Sequence, residues 1–145
     1  MTAAADLDLV CGFLTAVAES ELKLHGKFAP FGVVLDESGK LQMVAGALAE
    51  ELDSTEKILN FWFTTLRQAA EGKCHRAAGF CCDVLLMGPA SGKQTDALQL
   101  WIEHSDGTAQ TIWFPYAKDD TGKIQLHKPV TKSLGPRIFN HHRVM

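Results

Sequence analysis

Leu98-Gln99-Leu100-Trp101-Ile102-Glu103, then Ser105-Asp106-Gly107, then Thr111-Ile112-Trp113-Phe114-Pro115-Tyr116 is the stretch that decides the fold. Successive side chains of an extended chain point to opposite sides. Leu98, Leu100 and Ile102 therefore share one side of a strand, with Gln99, Trp101 and Glu103 on the other. Ile112, Phe114 and Tyr116 repeat the pattern, with Thr111 and Trp113 opposite them. Ser105-Asp106-Gly107 supplies the residues of a tight turn between the two runs. Together they predict an antiparallel hairpin.

Upstream, Ala78-Gly79-Phe80-Cys81-Cys82-Asp83-Val84-Leu85-Leu86 alternates in the same way, with Phe80, Cys82, Val84 and Leu86 apolar and Asp83 facing the other side. Met87 to Gln94 is the connecting loop. This regularity predicts a meander with one well-packed face. The opposite face then carries Asp83, Gln99, Trp101, Glu103, Thr111 and Trp113.

The period changes before these strands. From about residue 5 to 25, Leu7, Val10, Leu14 and Val17 recur at helical spacing, with Cys11, Phe13 and Leu24 beside them. Asp6 and Asp8 suit the start of that helix, and His25-Gly26 suits its end. Residues 28 to 35 read as a strand entered through Pro30, which cannot donate to a ladder and so belongs at the strand start or on an unpaired side. Asp36-Glu37-Ser38-Gly39 is a turn, and Lys40 to Ala45 returns as the second strand. Gly46 to Glu51 fits a loop or a short helical turn. Asp53 and Glu56, with Ser54 as a rival cap, open a second helix. Ile58, Phe61, Trp62, Thr65, Leu66, Ala69 and Ala70 line one face of it, and Gly72 stops it.

Beyond Tyr116, Asp119-Asp120-Thr121-Gly122 is a turn, and Lys123 to Leu126 suits a short edge strand. Residues 128–145 are read as an extended tail, pinned by Ile138-Phe139, with His141-His142-Arg143 loose. The expectation is one α+β domain over residues 1–145. It has two main helices and an antiparallel sheet of five strands, or six if the edge strand pairs, in the order α-β-β-α-β-β-β.

Composition narrows the function classes. The chain has 145 residues, 46% apolar and 21% charged, which is globular and far from disordered composition. Its net charge is -3, with 14 basic side chains scattered rather than clustered, so nucleic acid is not an expected partner. The N-terminus lacks the basic segment of a signal peptide, and no apolar run is long enough for a membrane span. Cys11, Cys74, Cys81 and Cys82 form neither C-x-x-C pairs nor a secreted disulfide framework. Reduced thiols, a cytoplasmic location and no membrane partner follow as expectations.

Gly88-Pro89-Ala90-Ser91-Gly92-Lys93-Gln94 is one residue short of a P-loop, puts Gln94 where Ser or Thr is needed, and joins two strands instead of opening a helix. Cys82 reads as a small core residue, while Cys81, beside Asp83, is reactive only if exposed and given a lowered pKa. His104 and Asp106 sit at a hairpin end without a visible nucleophile, and Glu103 faces the other way. His25, His75 and His127 stand alone near element ends. Catalytic, cofactor and metal residues are each read as none. Trp101 and Trp113, on adjacent strands, are either covered by the first helix or form an interface or ligand patch. The candidate surface is Asp83, Gln99, Trp101, Thr111 and Trp113.

The element order resembles roadblock and profilin-like domains, in which helices sandwich a five-stranded antiparallel sheet. That resemblance implies dimeric scaffold, sensor or ligand-binding modules without catalysis. His25-Gly26-Lys27-Phe28-Ala29-Pro30-Phe31-Gly32, the Asp36 to Gly39 turn and Gly135-Pro136-Arg137-Ile138-Phe139 resemble a set of small uncharacterised bacterial proteins. Those proteins share an F-x-P-F-G segment followed by a D-G-type turn. This second resemblance implies a bacterial cytoplasmic protein and no activity, cofactor or catalytic residue.

The sequence thus predicts a non-catalytic interaction or ligand-binding module, acting as a homodimer or as an accessory or immunity-type partner of another protein. The alternative is a small enzyme or small-molecule sensor with a polar cleft near Asp83, Glu103 and His104.

Overall fold

The computed structural model describes residues 2–44, 55–71, 74–87 and 94–139. Helix α1 (Ala3–His25) is followed by β1 (Phe31–Leu35), β2 (Leu41–Val44), α2 (Thr55–Ala70), β3 (Ala77–Met87), β4 (Gln94–His104), β5 (Ala109–Lys118), β6 (Ile124–Leu126) and β7 (Val130–Leu134). The fold is α+β, as the alternation implies. Among the described residues its antiparallel sheet has seven strands rather than five or six, in the order β2-β1-β3-β4-β5-β6, with β7 also paired to β5. The additional strand, β7, lies in what the sequence presents as an extended tail. Only the apolar residue at each end of Val130–Leu134 hints at a strand there, and pairing with Ala109–Trp113 of β5 fixes its extended form. The cap residues Asp53 and Ser54, the segment 45–51, Gly72, the loop 88–93 and His141-His142 lie outside the described residues.

Helix α1 forms because Leu7, Val10, Leu14, Ala18 and Leu22 fall on one buried stripe. The Thr2 side chain accepts from the Ala5 N–H at its start, and Gly26, at φ 75°, closes it with a bond from its N–H to the Leu22 carbonyl. The helix lies over β3, β4 and β1, and its length of ~35 Å matches that of the long β3–β4 hairpin.

The register corrects the face assignment made from sequence. Phe80 pairs with Trp101 and Cys82 with Gln99, whereas Asp83 pairs with Leu98. The apolar row Phe80-Cys82-Val84 thus shares its face with Trp101, not with Leu98, Leu100 and Ile102. Alternation within each strand was legible, but the register between strands decides which rows coincide. Both faces are packed. One core joins the α1 stripe to Val33, Cys81, Leu98, Leu100, Ile102 and Ile112. The other joins Trp62, Phe63 and Leu66 of α2 to Phe80, Trp101, Ile138 and Phe139.

Glycine allows two close approaches in these layers. A Cβ on Gly32 would come within 2.7 Å of the Trp62 ring, and one on Gly79 within 2.7 Å of the Trp101 carbonyl.

Candidate functional site

Polar chemistry divides between the two ends of the sheet. At the end where α1 begins, Asp6 is buried against Arg76 and His104. Arg76 donates from Nη2 and Nε to the Asp6 carboxylate, the latter at 3.2 Å. His104 Nε2 lies 2.9 Å from Asp6 Oδ2. The Asp106 backbone N–H lies 3.1 Å from His104 Nδ1, and the Asp106 carboxylate is 3.4 Å from the same nitrogen. The Arg76 guanidinium holds the Asp6 carboxyl below its ordinary value despite burial, and His104 adds to the effect.

Glu103, one residue away on β4, faces the other side and is fully buried. Its carboxylate accepts the backbone N–H groups of Arg137 and Ile138, both at 2.8 Å, and of Phe139. Trp101 Nε1 donates to it as well, at 3.3 Å. Arg67 of α2 donates twice to the Arg137 carbonyl, at 3.1 and 2.7 Å, and the Arg137 guanidinium lies 4.2 Å from the centre of the Phe63 ring. Ile138-Phe139 pins the chain here, as the sequence suggests. Glu103 as the anchor was not legible, because the backbone groups it holds lie more than thirty positions away.

The other end of the sheet is built differently. Phe31 pairs with Cys81, and the β1–β3 ladder stops there. Pro30 precedes Phe31 and has no N–H to extend it. Strand β3 continues to Met87 with β4 on one side and, among the described residues, no strand on the other. A groove of about 570 Å³ lies at this end, walled by Phe28, Pro30, Ile58, Leu59, Cys82, Val84 and Leu85. Asp83, Asp96 and Gln99 are its polar members. Tyr116 donates to Asp83 Oδ1 at 2.8 Å. Burial pushes the Asp83 carboxyl up, helped by Asp96 and opposed by Tyr116 and Lys118. Burial also raises the Tyr116 hydroxyl, with its bond to Asp83 acting in the same direction.

Four members of the surface proposed from sequence share one face. Gln99 pairs with Trp113 and Trp101 with Thr111, and Gln99 Nε2 donates to Thr111 Oγ1 at 3.4 Å. Asp83 is on the opposite face. Nor is this an open aromatic patch, since Trp101 and Thr111 are buried. Trp101 is covered by α2, not by the first helix, with the Phe63 ring edge-on at 4.6 Å. Trp113 alone of the two tryptophans is partly exposed.

The alternative cleft of Asp83, Glu103 and His104 does not assemble. His104 pairs with Ala77, six strand positions and ~20 Å from Asp83, and Glu103 is on the other face. Cys81 is fully buried, and burial raises its thiol well above the ordinary value. Burial pushes the Cys82 thiol up to about 12, so the cysteine in the groove wall is a protonated apolar group at neutral pH. Among the described residues, no group of three or more His, Cys, Asp or Glu could hold a metal ion. Of the residues lining the groove, the surface proposed from sequence held only Asp83 and Gln99. The mismatch between a short strand ending at Pro30 and a long third strand was the available signal.

The structure defines an α+β sandwich with helices on both faces of one antiparallel sheet and an apolar groove at one end. No family model, curated protein or solved structure matches the chain. No helix among the described residues is long and apolar enough to cross a membrane.

Proposed function

We propose that the chain is a non-catalytic binding module, acting as a homodimer or as an accessory or immunity-type partner of another protein, and that the groove is its recognition surface. One observation carries this reading. The buried carboxylates Asp6 and Glu103 are spent on bonds between chain segments, while the groove offers apolar walls with a few polar groups at its rim. Acid–base or nucleophilic catalysis requires an activated group facing open space; the Cys82 thiol there is held protonated, and the Asp83 carboxylate is engaged by the Tyr116 hydroxyl. Apolar walls with sparse polar groups suit binding.

The groove volume of about 570 Å³ also falls in the range of small-molecule pockets, which favours a ligand sensor as the second reading. Native mass spectrometry of protein purified gently from its own host separates the two. A dimer or a complex with a second protein, free of small molecules, supports the interaction module. A stoichiometric non-protein adduct supports the sensor and overturns the first reading.

A further inference from the structure

We infer that the edge of β3 from Asp83 to Leu86 accepts an extended segment of a partner protein as an added strand, with apolar and basic side chains alternating along it. The inference rests on the interaction-module reading and names the partner's chemistry. Strand β3 is paired on its β4 side throughout, yet its β1 neighbour ends at Phe31. Among the described residues, no backbone hydrogen bond outside the regular elements reaches residues 82–87. A row of unpaired N–H and C=O groups is a template for strand addition.

The side chains beside that edge set the occupant's pattern. Cys82 and Val84 face α2, where Ile58 and Leu59 complete an apolar wall. Asp83 faces the opposite side, and Asp96, paired with Leu85, lies on that side too. Side chains of an added strand alternate between these environments. Those on the α2 side meet apolar surface, and those on the other side meet Asp83 and the exposed Leu85, with Asp96 next to Leu85 on β4. Among the described residues, Asp83 and Asp96 are the only charged ones lining the groove. A second copy of the same edge would oppose its own carboxylates, so charge favours a basic segment over self-pairing. The competing role of these carboxylates is to guard a free edge against pairing, and the experiment separates the two.

The probe is the peptide acetyl-(Val-Lys)3-amide, titrated into the full chain and followed by amide chemical shifts and hydrogen exchange. The expected result is saturable binding, with shifts and new protection concentrated between residues 82 and 87. The same peptide N-methylated at alternate residues on its hydrogen-bonding edge should lose that binding, because it cannot form the ladder. The glutamate counterpart, acetyl-(Val-Glu)3-amide, should bind at least fivefold more weakly. The Asp83→Asn/Asp96→Asn double variant, with its fold checked by circular dichroism, should bind (Val-Lys)3 about fivefold to tenfold more weakly, the scale of two exposed ion pairs. Equal binding of the N-methylated peptide, shifts centred elsewhere, or no binding at all overturns the inference. A dimer or protein complex in native mass spectrometry without peptide binding overturns it alone, whereas a stoichiometric small-molecule adduct overturns the reading beneath it.

Discussion

Where α1 begins, Asp6, Arg76, His104 and Glu103 are each held by groups from another part of the chain. At the opposite end, Asp83 and Asp96 border a groove and a strand edge with no neighbour among the described residues. The same kinds of residue therefore do different work at the two ends. At the closed end, carboxylates satisfy buried donors and join segments that are far apart in sequence. At the open end, Asp83 is raised in pKa, and among the described residues Tyr116 is the side chain that donates to it. The contrast teaches that a carboxylate's role here follows from the supply of donors around it.

The sharpest way to break this comparison is Glu103→Ala. It strands the N–H groups of Arg137, Ile138 and Phe139 in a buried site. We expect a loss of about 3–5 kcal/mol in urea unfolding, with faster hydrogen exchange at those amides. A loss below about 1 kcal/mol would show that the segment is held by Ile138 and Phe139 packing alone.

Gly79→Ala tests the layer between the two ends. Its Cβ would meet the Trp101 carbonyl at 2.7 Å and the Val10 side chain at 3.0 Å. The backbone contact cannot give way cheaply, so a loss of about 2–3 kcal/mol is expected by the same measurement.

Asp6→Asn should cost about 2 kcal/mol near neutral pH, since Arg76 keeps some solvent contact. Its pH dependence is more diagnostic. The folded Asp6 carboxyl lies below its unfolded value, so its contribution is complete above that unfolded value, near pH 4. The contribution is lost as pH falls through the lower folded value. Stability of the natural chain should therefore drop in acid, and Asp6→Asn should flatten that limb. It will not abolish it, because Asp36, Asp106 and Asp119 are shifted in the same direction. A limb of unchanged slope would remove Asp6 from the account.

Asp83→Asn is the smallest expected effect and has the opposite sign. A folded carboxyl above its unfolded value costs stability at neutral pH, and the cost disappears as pH falls below the unfolded value. Asparagine retains an acceptor for Tyr116, so stability at pH 7 should be unchanged or raised, within about 0.5 kcal/mol. A clear destabilisation would place Asp83 with the structural carboxylates and erase the distinction between the ends.

Local chemistry was readable throughout. The Gly26 cap, the Asp36–Gly39, Asp106–Gly107 and Asp119–Gly122 turns, the limit on pairing at Pro30 and the pinning by Ile138-Phe139 all follow from neighbouring residues. Strand β7 was missed because four of its five residues are exposed and lack the alternation that marks a half-buried strand. The site was legible only as a face. Gln99, Trp101, Thr111 and Trp113 do lie together, but Asp83 was assigned across a register that no local pattern specifies.

By itself the sequence determined the two helices, the alternation within each long strand, and where the turns fall. These depend on the periods of 3.6 and 2 and on the backbone preferences of glycine and proline, which act over a few residues. Only the tertiary structure decided that Phe80 sits opposite Trp101, that Glu103 binds the chain at residues 137–139, and that β3 outruns β1 to leave a groove. Those outcomes depend on how segments far apart in sequence satisfy one another's backbone groups and fill one another's surfaces, and no short stretch of residues encodes that alone.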